Sequence, residues 1–140
     1  MSITYTHITN GEERQLANVE VLTGATTLTA EDSAKVFILK AAAGAQISLP
    51  AVAISAGNRF KFVVGLAFAT TNWTVKSLTN VIEGGVVVNS TNVPGVNENT
   101  ISFVNTAESL GDFVELACDG VRWYVSGNAT TAGAVTLTAV

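Results

Sequence analysis

The chain has 140 residues and a formal net charge of −4, the size of one ordinary domain and long enough to bury a core without staples. Only 13% of its residues are charged while 48% are hydrophobic, against a usual charged share of about 25%. Seven scattered Lys and Arg offer no basic patch for a phosphate backbone, and one Cys excludes an internal disulfide framework. The missing charge is replaced by Thr, Ser, Asn, Gly and Ala, which leaves a neutral, short-chained surface of the kind that associates readily.

In chain order, residues 3–8 favour a strand that Asn10-Gly11 ends, so residues 1–10 form a detached arm or an edge strand. The start MSITYTHITNGEER has neither the basic nor the apolar region of a secretory signal. Residues 16–22 follow as a strand with Val19 and Val21 on one face, and Gly24 breaks it. Residues 30–34 make a turn or single helical turn. Residues 35–40 then form a strand with Val36 and Ile38 on one face and Phe37 and Leu39 on the other, the pattern of a central strand. Residues 45–49 return with Ile47 and Leu49 inward until Pro50, which cannot donate to a ladder.

Phe60, Phe62 and Val64 alternate with Arg59, Lys61 and Val63, and Trp73 and Val75 with Thr74 and Lys76. Gly84-Gly85 suggests a bulge or a hairpin bend between two apolar runs, and Pro94-Gly95 fits a type II turn in the longest polar stretch. Residues 101–104 are a strand, and residues 134–140 are a last strand or tail.

Residues 111–127, GDFVELACDGVRWYVSG, carry the strongest local signal. Asp119-Gly120 predicts a two-residue hairpin turn that pairs Cys118 with Val121, Leu116 with Trp123 and Val114 with Val125 on one apolar face. The other face holds Phe113, Glu115, Ala117, Arg122, Tyr124 and Ser126. No segment keeps a helical period. Roughly ten short strands with turn signals about every 8–12 residues predict an all-β, single-domain antiparallel sandwich or barrel.

The residues offer little chemistry. His7 is the only histidine, and no Gly-x-Ser-x-Gly elbow accompanies it. No catalytic residue, metal ligand or cofactor is assigned, and the chain is expected not to be an enzyme. Cys118, on the apolar face, reads as an inert thiol. No apolar run is long enough to span a bilayer as a helix, so no membrane partner is expected. Among the aromatics, Trp73 and Trp123 read as core, and Tyr124 as a partly exposed glycan or interface contact.

Two stretches resemble a known group. They are Leu28-Thr29-Ala30-Glu31-Asp32-Ser33 with Val36-Phe37-Ile38-Leu39 and Ala43-Gly44-Ala45-Gln46-Ile47-Ser48-Leu49-Pro50, and the closing run from Gly111 to Gly127. Residues 27–127 are similar to small virion-surface proteins of tailed bacteriophages: capsid decoration (cement) proteins, head fibres and modules of tail fibres. Ala34 stands where that pattern usually has Gly, and Phe113 where it usually has Trp. The resemblance implies a homotrimer on the outer capsid surface, made in the host cytoplasm, with the major capsid protein as partner. A fibre module that binds a host receptor or glycan is the alternative.

Three portions are expected. Residues 1–26 are an arm with leading strands, residues 27–127 the core module, and residues 128–140 a C-terminal strand or tail. Ile3, Tyr5, His7 and Ile8 on the arm are the candidate capsid-binding residues, since such a segment can add to an exposed sheet edge.

Overall fold

The computed structural model describes the backbone of residues 5–9, 12–15 and 18–140, with side chains from residue 18 onward. Strand β1 (Tyr5–Thr9) pairs antiparallel with β2 (Glu12–Gln15) in a small sheet of its own. The rest is two facing sheets.

The first half of the sandwich is a winding. The chain runs through β3 (Asn18–Leu22), β4 (Thr26–Thr27), β5 (Lys35–Leu39), β6 (Gln46–Ser48), β7 (Arg59–Val64) and β8 (Trp73–Lys76), crossing from one sheet to the other at every step. Each return to the same sheet follows a complete circuit, so consecutive strands there run the same way. Accordingly β3, β5 and β7 pair in parallel on one wall, and β4, β6 and β8 in parallel on the other.

The second half is built largely from hairpins. Strand β9 (Ile82–Val88) turns into β10 (Thr91–Glu98), β11 (Thr100–Phe103) joins the smaller sheet, β12 (Phe113–Cys118) turns into β13 (Trp123–Ala129), and β14 (Val135–Thr138) closes the chain. The larger sheet has the order β10-β9-β13-β12-β7-β5-β3 and the smaller β14-β11-β8-β6-β4. Gly95 of β10 lies against Leu137 of β14, which brings the two sheets together at that side. At the other side β3 and β4 are the edges.

The fold is thus all-β and sandwich-like, but it is not the antiparallel sandwich expected. Half of the pairings in the two sheets are parallel, including β13 with β9. Alternating polarity records which face a strand buries, not its direction, so the pattern was blind to this. The strands β3 and β4 from the expected arm portion, and β14 from the expected tail, belong to the same two sheets as residues 27–127.

The core lies between the sheets. Phe37, Phe60, Phe62 and Trp123 form its aromatic centre: Phe37 and Phe62 stack at 5.4 Å, and Phe60 meets Trp123 at 5.5 Å. The smaller sheet contributes Ile47, Trp73, Val75, Ile101 and Phe103, all fully buried. Buried Asp112 fastens two loops to this core. Its carboxylate accepts from the backbone N–H of Ser109 at 2.9 Å and of Thr130 at 3.0 Å.

Three local expectations change. The hairpin of β12 and β13 pairs Cys118 with Trp123, Leu116 with Val125 and Val114 with Gly127. Its loop therefore spans residues 119–122 rather than two residues, and Val121 is exposed. The cause is the Asp119 side chain, whose Oδ1 accepts from the N–H of both Val121 and Arg122 at 2.8 Å and so closes a longer turn. A slip of two residues keeps every side chain on its face, which is why the core assignment survives it. Second, Gly84-Gly85 makes no hairpin bend: it sits inside the continuous strand β9, and of the two alternatives the bulge is the one present, as the register with β10 shifts just beyond the Gly84–Gly95 pair. Third, Pro94-Gly95 lies within β10, and the turn is made by Asn89 and Ser90 at φ of 48° and 63°. Positive φ at both positions is the tight hairpin geometry, and β10 tolerates Pro94 because it is an edge strand.

Residues 30–32 form a 3-10 turn, followed by Ala34 at φ of 70°. That left-handed conformation strains any side chain with a Cβ and suits glycine. Replacing Ala34 with Gly is expected to raise stability by up to about 1 kcal/mol. Urea denaturation measures this, and a loss of stability would contradict the geometry.

Candidate functional site

The winding leaves one face of the larger sheet turned away from the core, and the register places its side chains in rows. One row reads Val21, Ile38, Val63, Phe113 and Asn128 across β3, β5, β7, β12 and β13. The next reads Val19, Val36, Lys61, Glu115 and Ser126. A third, shorter row reads Arg59, Ala117, Tyr124 and Glu83 across β7, β12, β13 and β9.

At the β3 end the face is apolar. Val19 and Val21 are 59% and 52% exposed, and Val36, Ile38, Val63 and Phe113 are half-buried. The strand β5 is interior to the sheet, as its pattern predicts, but its Val36 and Ile38 face is this outer surface and not a second core. This apolar end borders β3, an edge of the larger sheet among the described residues.

Toward the 119–122 loop the same face becomes a trough of about 470 Å³. Ala34, Ala117 and Ser126 are small residues of its lining, and Arg59, Lys61, Glu115 and Tyr124 are the large ones. The Nζ of Lys61 sits 3.6 Å from Glu115 Oε1 and 4.5 Å from the centre of the Phe113 ring. Lys35, at the rim, is already engaged by Asp32 at 2.8 Å and Glu20 at 2.9 Å, and these two bonds hold its ammonium above the ordinary lysine pKa. The Arg59 guanidinium has no partner among the described residues.

Tyr124 is 46% exposed, and its hydroxyl donates to Asp119 Oδ2 at 2.9 Å. The backbone N–H groups of Arg122 and Val121, with that hydroxyl, hold the Asp119 carboxyl below its ordinary value of 3.8. A depressed carboxylate fastens the loop fully above the ordinary pKa, and the fastening is lost as pH falls through the lowered folded value. An NMR titration is therefore expected to place the Asp119 midpoint below 3.8, with the Val121 and Arg122 amides moving at the same midpoint. A midpoint at or above the ordinary value would contradict the bonds drawn here.

Trp73 and Trp123 are fully buried, as predicted, and unavailable to a ligand. Cys118 is buried, its Sγ accepts from the Gly120 N–H at 3.3 Å, and burial pushes its thiol pKa up. No group of three or more His, Cys, Asp and Glu capable of holding a metal occurs among the described residues. No helix among them is long and apolar enough to cross a membrane.

No family model, curated protein or solved structure matches this chain. Of the residues singled out from the sequence, Tyr124 takes its place in the trough, while the Tyr5, His7 and Ile8 side chains and the whole of Ile3 lie outside the described residues. Arg59, Lys61, Glu115 and Ser126 were not foreseen as a site. They meet only because β7, β12 and β13 are neighbours in that order, and nothing within any one strand signals it.

Proposed function

We propose that this chain is a structural protein of a tailed-bacteriophage virion that decorates the capsid from outside and stabilises the head. The observation that carries the interaction reading is the apolar end of the outer sheet face, with Val19 and Val21 exposed on β3, an edge strand among the described residues. The phage assignment rests on the resemblance of residues 27–127. The charge-poor composition supports a role in assembly.

In this reading the arm, residues 1–10, contributes Ile3, Tyr5, His7 and Ile8 to the capsid contact. It precedes β3 in the chain, and in this reading arm and apolar face both contribute to capsid contact. A homotrimer presents three such interfaces, and linked weak contacts gain by effective concentration. The test is sedimentation of the purified protein with heads that lack it. Saturable co-sedimentation, together with greater resistance of the heads to heat, is expected. Heads that sediment bare at saturating protein would refute decoration.

A further inference from the structure

We propose that the trough on the outer face of the larger sheet is a binding site for a carboxylated saccharide. The inference does not rest on decoration, because it concerns ligand binding by the isolated protein.

The register sets the dimensions. Arg59 pairs with Ala117, and Ala117 pairs with Tyr124, so the two large side chains flank a residue that is only a methyl group. Strands lie about 4.8 Å apart, which puts Arg59 and Tyr124 about 10 Å from each other across a gap with a flat floor. The row behind this gap offers Lys61, Glu115 and Ser126, a donor, an acceptor and a hydroxyl. The volume of about 470 Å³ falls in the range of small-ligand sites.

The chemistry of the walls selects the ligand. Tyr124 is exposed on its ring yet tethered at its hydroxyl to Asp119, so it gives a platform that loses little freedom when a sugar ring stacks on it. Glu115 and Ser126 suit the mixed donors and acceptors of sugar hydroxyls. Among the described residues Arg59 is an unengaged guanidinium beside a lysine whose charge Glu115 balances, so the trough has one positive group without a partner there. A carboxylate on the sugar meets it with a planar, two-bond geometry. A purely apolar ligand would leave these groups unpaired.

The experiment uses oligogalacturonide as the acidic probe, maltooligosaccharide as the neutral one and poly-glutamate as an acidic peptide. Binding to the full chain is followed by titration calorimetry and by amide NMR shifts. Millimolar or tighter binding of oligogalacturonide is expected, with shifts centred on residues 115–117 and 124–126. Both Tyr124→Ala and Arg59→Gln are expected to weaken it by about tenfold or more, the effect of losing one charge-assisted bond or one ring contact. Arg59→Lys is expected to recover part of the loss. Both altered positions are exposed, so the fold persists, and unchanged thermal unfolding checks that.

Absence of oligogalacturonide binding at millimolar concentration overturns the proposal. So does equal binding of poly-glutamate, which would make the site a peptide groove. Equal binding of the neutral oligosaccharide with no effect of Arg59→Gln overturns the acidic specificity.

Discussion

Replacing Trp123 with Ala is expected to cost about 3–5 kcal/mol, the range for deleting a large buried aromatic side chain. Trp123 is fully buried, begins β13, and packs against Phe60 of β7, two strands away in the same sheet. Its removal opens a cavity at the point where the parallel winding meets the hairpin half. The indole Nε1 has no hydrogen-bond partner among the described residues, so the side chain acts there through packing alone. Trp123→Phe is therefore expected to be far milder, about 1–2 kcal/mol, because it loses volume but no bond. Equilibrium urea unfolding of the two variants measures both values. An Ala variant within about half a kcal/mol of the parent would mean the indole is exposed.

The second large effect is expected at Gly84. Its φ is 122°, a region open almost only to glycine, and a Cβ built there would stand 2.4 Å from the Val125 carbonyl oxygen. Gly84 pairs with Val125 in the parallel contact between β9 and β13, the contact that attaches the β9–β10 hairpin to the rest of the larger sheet. Gly84→Ala combines backbone strain with forced separation of those strands and is expected to cost about 2–4 kcal/mol. Amide exchange is expected to show the loss first in β9 and β10. A neutral substitution would mean the two strands are not in close register.

The positions of the buried residues were legible in the sequence because burial on one face has a period of two. Phe60, Phe62 and Val64, Trp73 and Val75, and Ile47 and Leu49 all read inward from alternation alone, and all are buried. Strand direction was not legible, since β5 alternates the same way whether its neighbour runs with it or against it. The hairpin register failed at Asp119 because the dipeptide Asp-Gly does not reveal that the Asp carboxylate will satisfy two further backbone N–H groups. The Asn89-Ser90 turn was masked by a more conspicuous Pro94-Gly95, which edge position renders harmless in a strand. Nothing in the sequence signalled the left-handed backbone of Ala34, because alanine does not mark a positive φ as glycine would. The trough was legible only at Tyr124. Its other walls come from strands far apart in the chain, and the apolar patch likewise assembles from β3, β5, β7 and β12.

We propose that the chain docks on a capsid through its arm and the apolar end of its outer sheet face. One binding isotherm on purified heads tests it, run with the intact protein, with a deletion of residues 1–10, and with the pair Val19→Glu and Val21→Glu. Val19 and Val21 are both exposed, so the pair leaves the core intact. Saturable binding by the intact protein is expected, with little or none by either variant and both variants folded. Heads that stay bare with the intact protein, or that bind both variants as well as the parent, would contradict it.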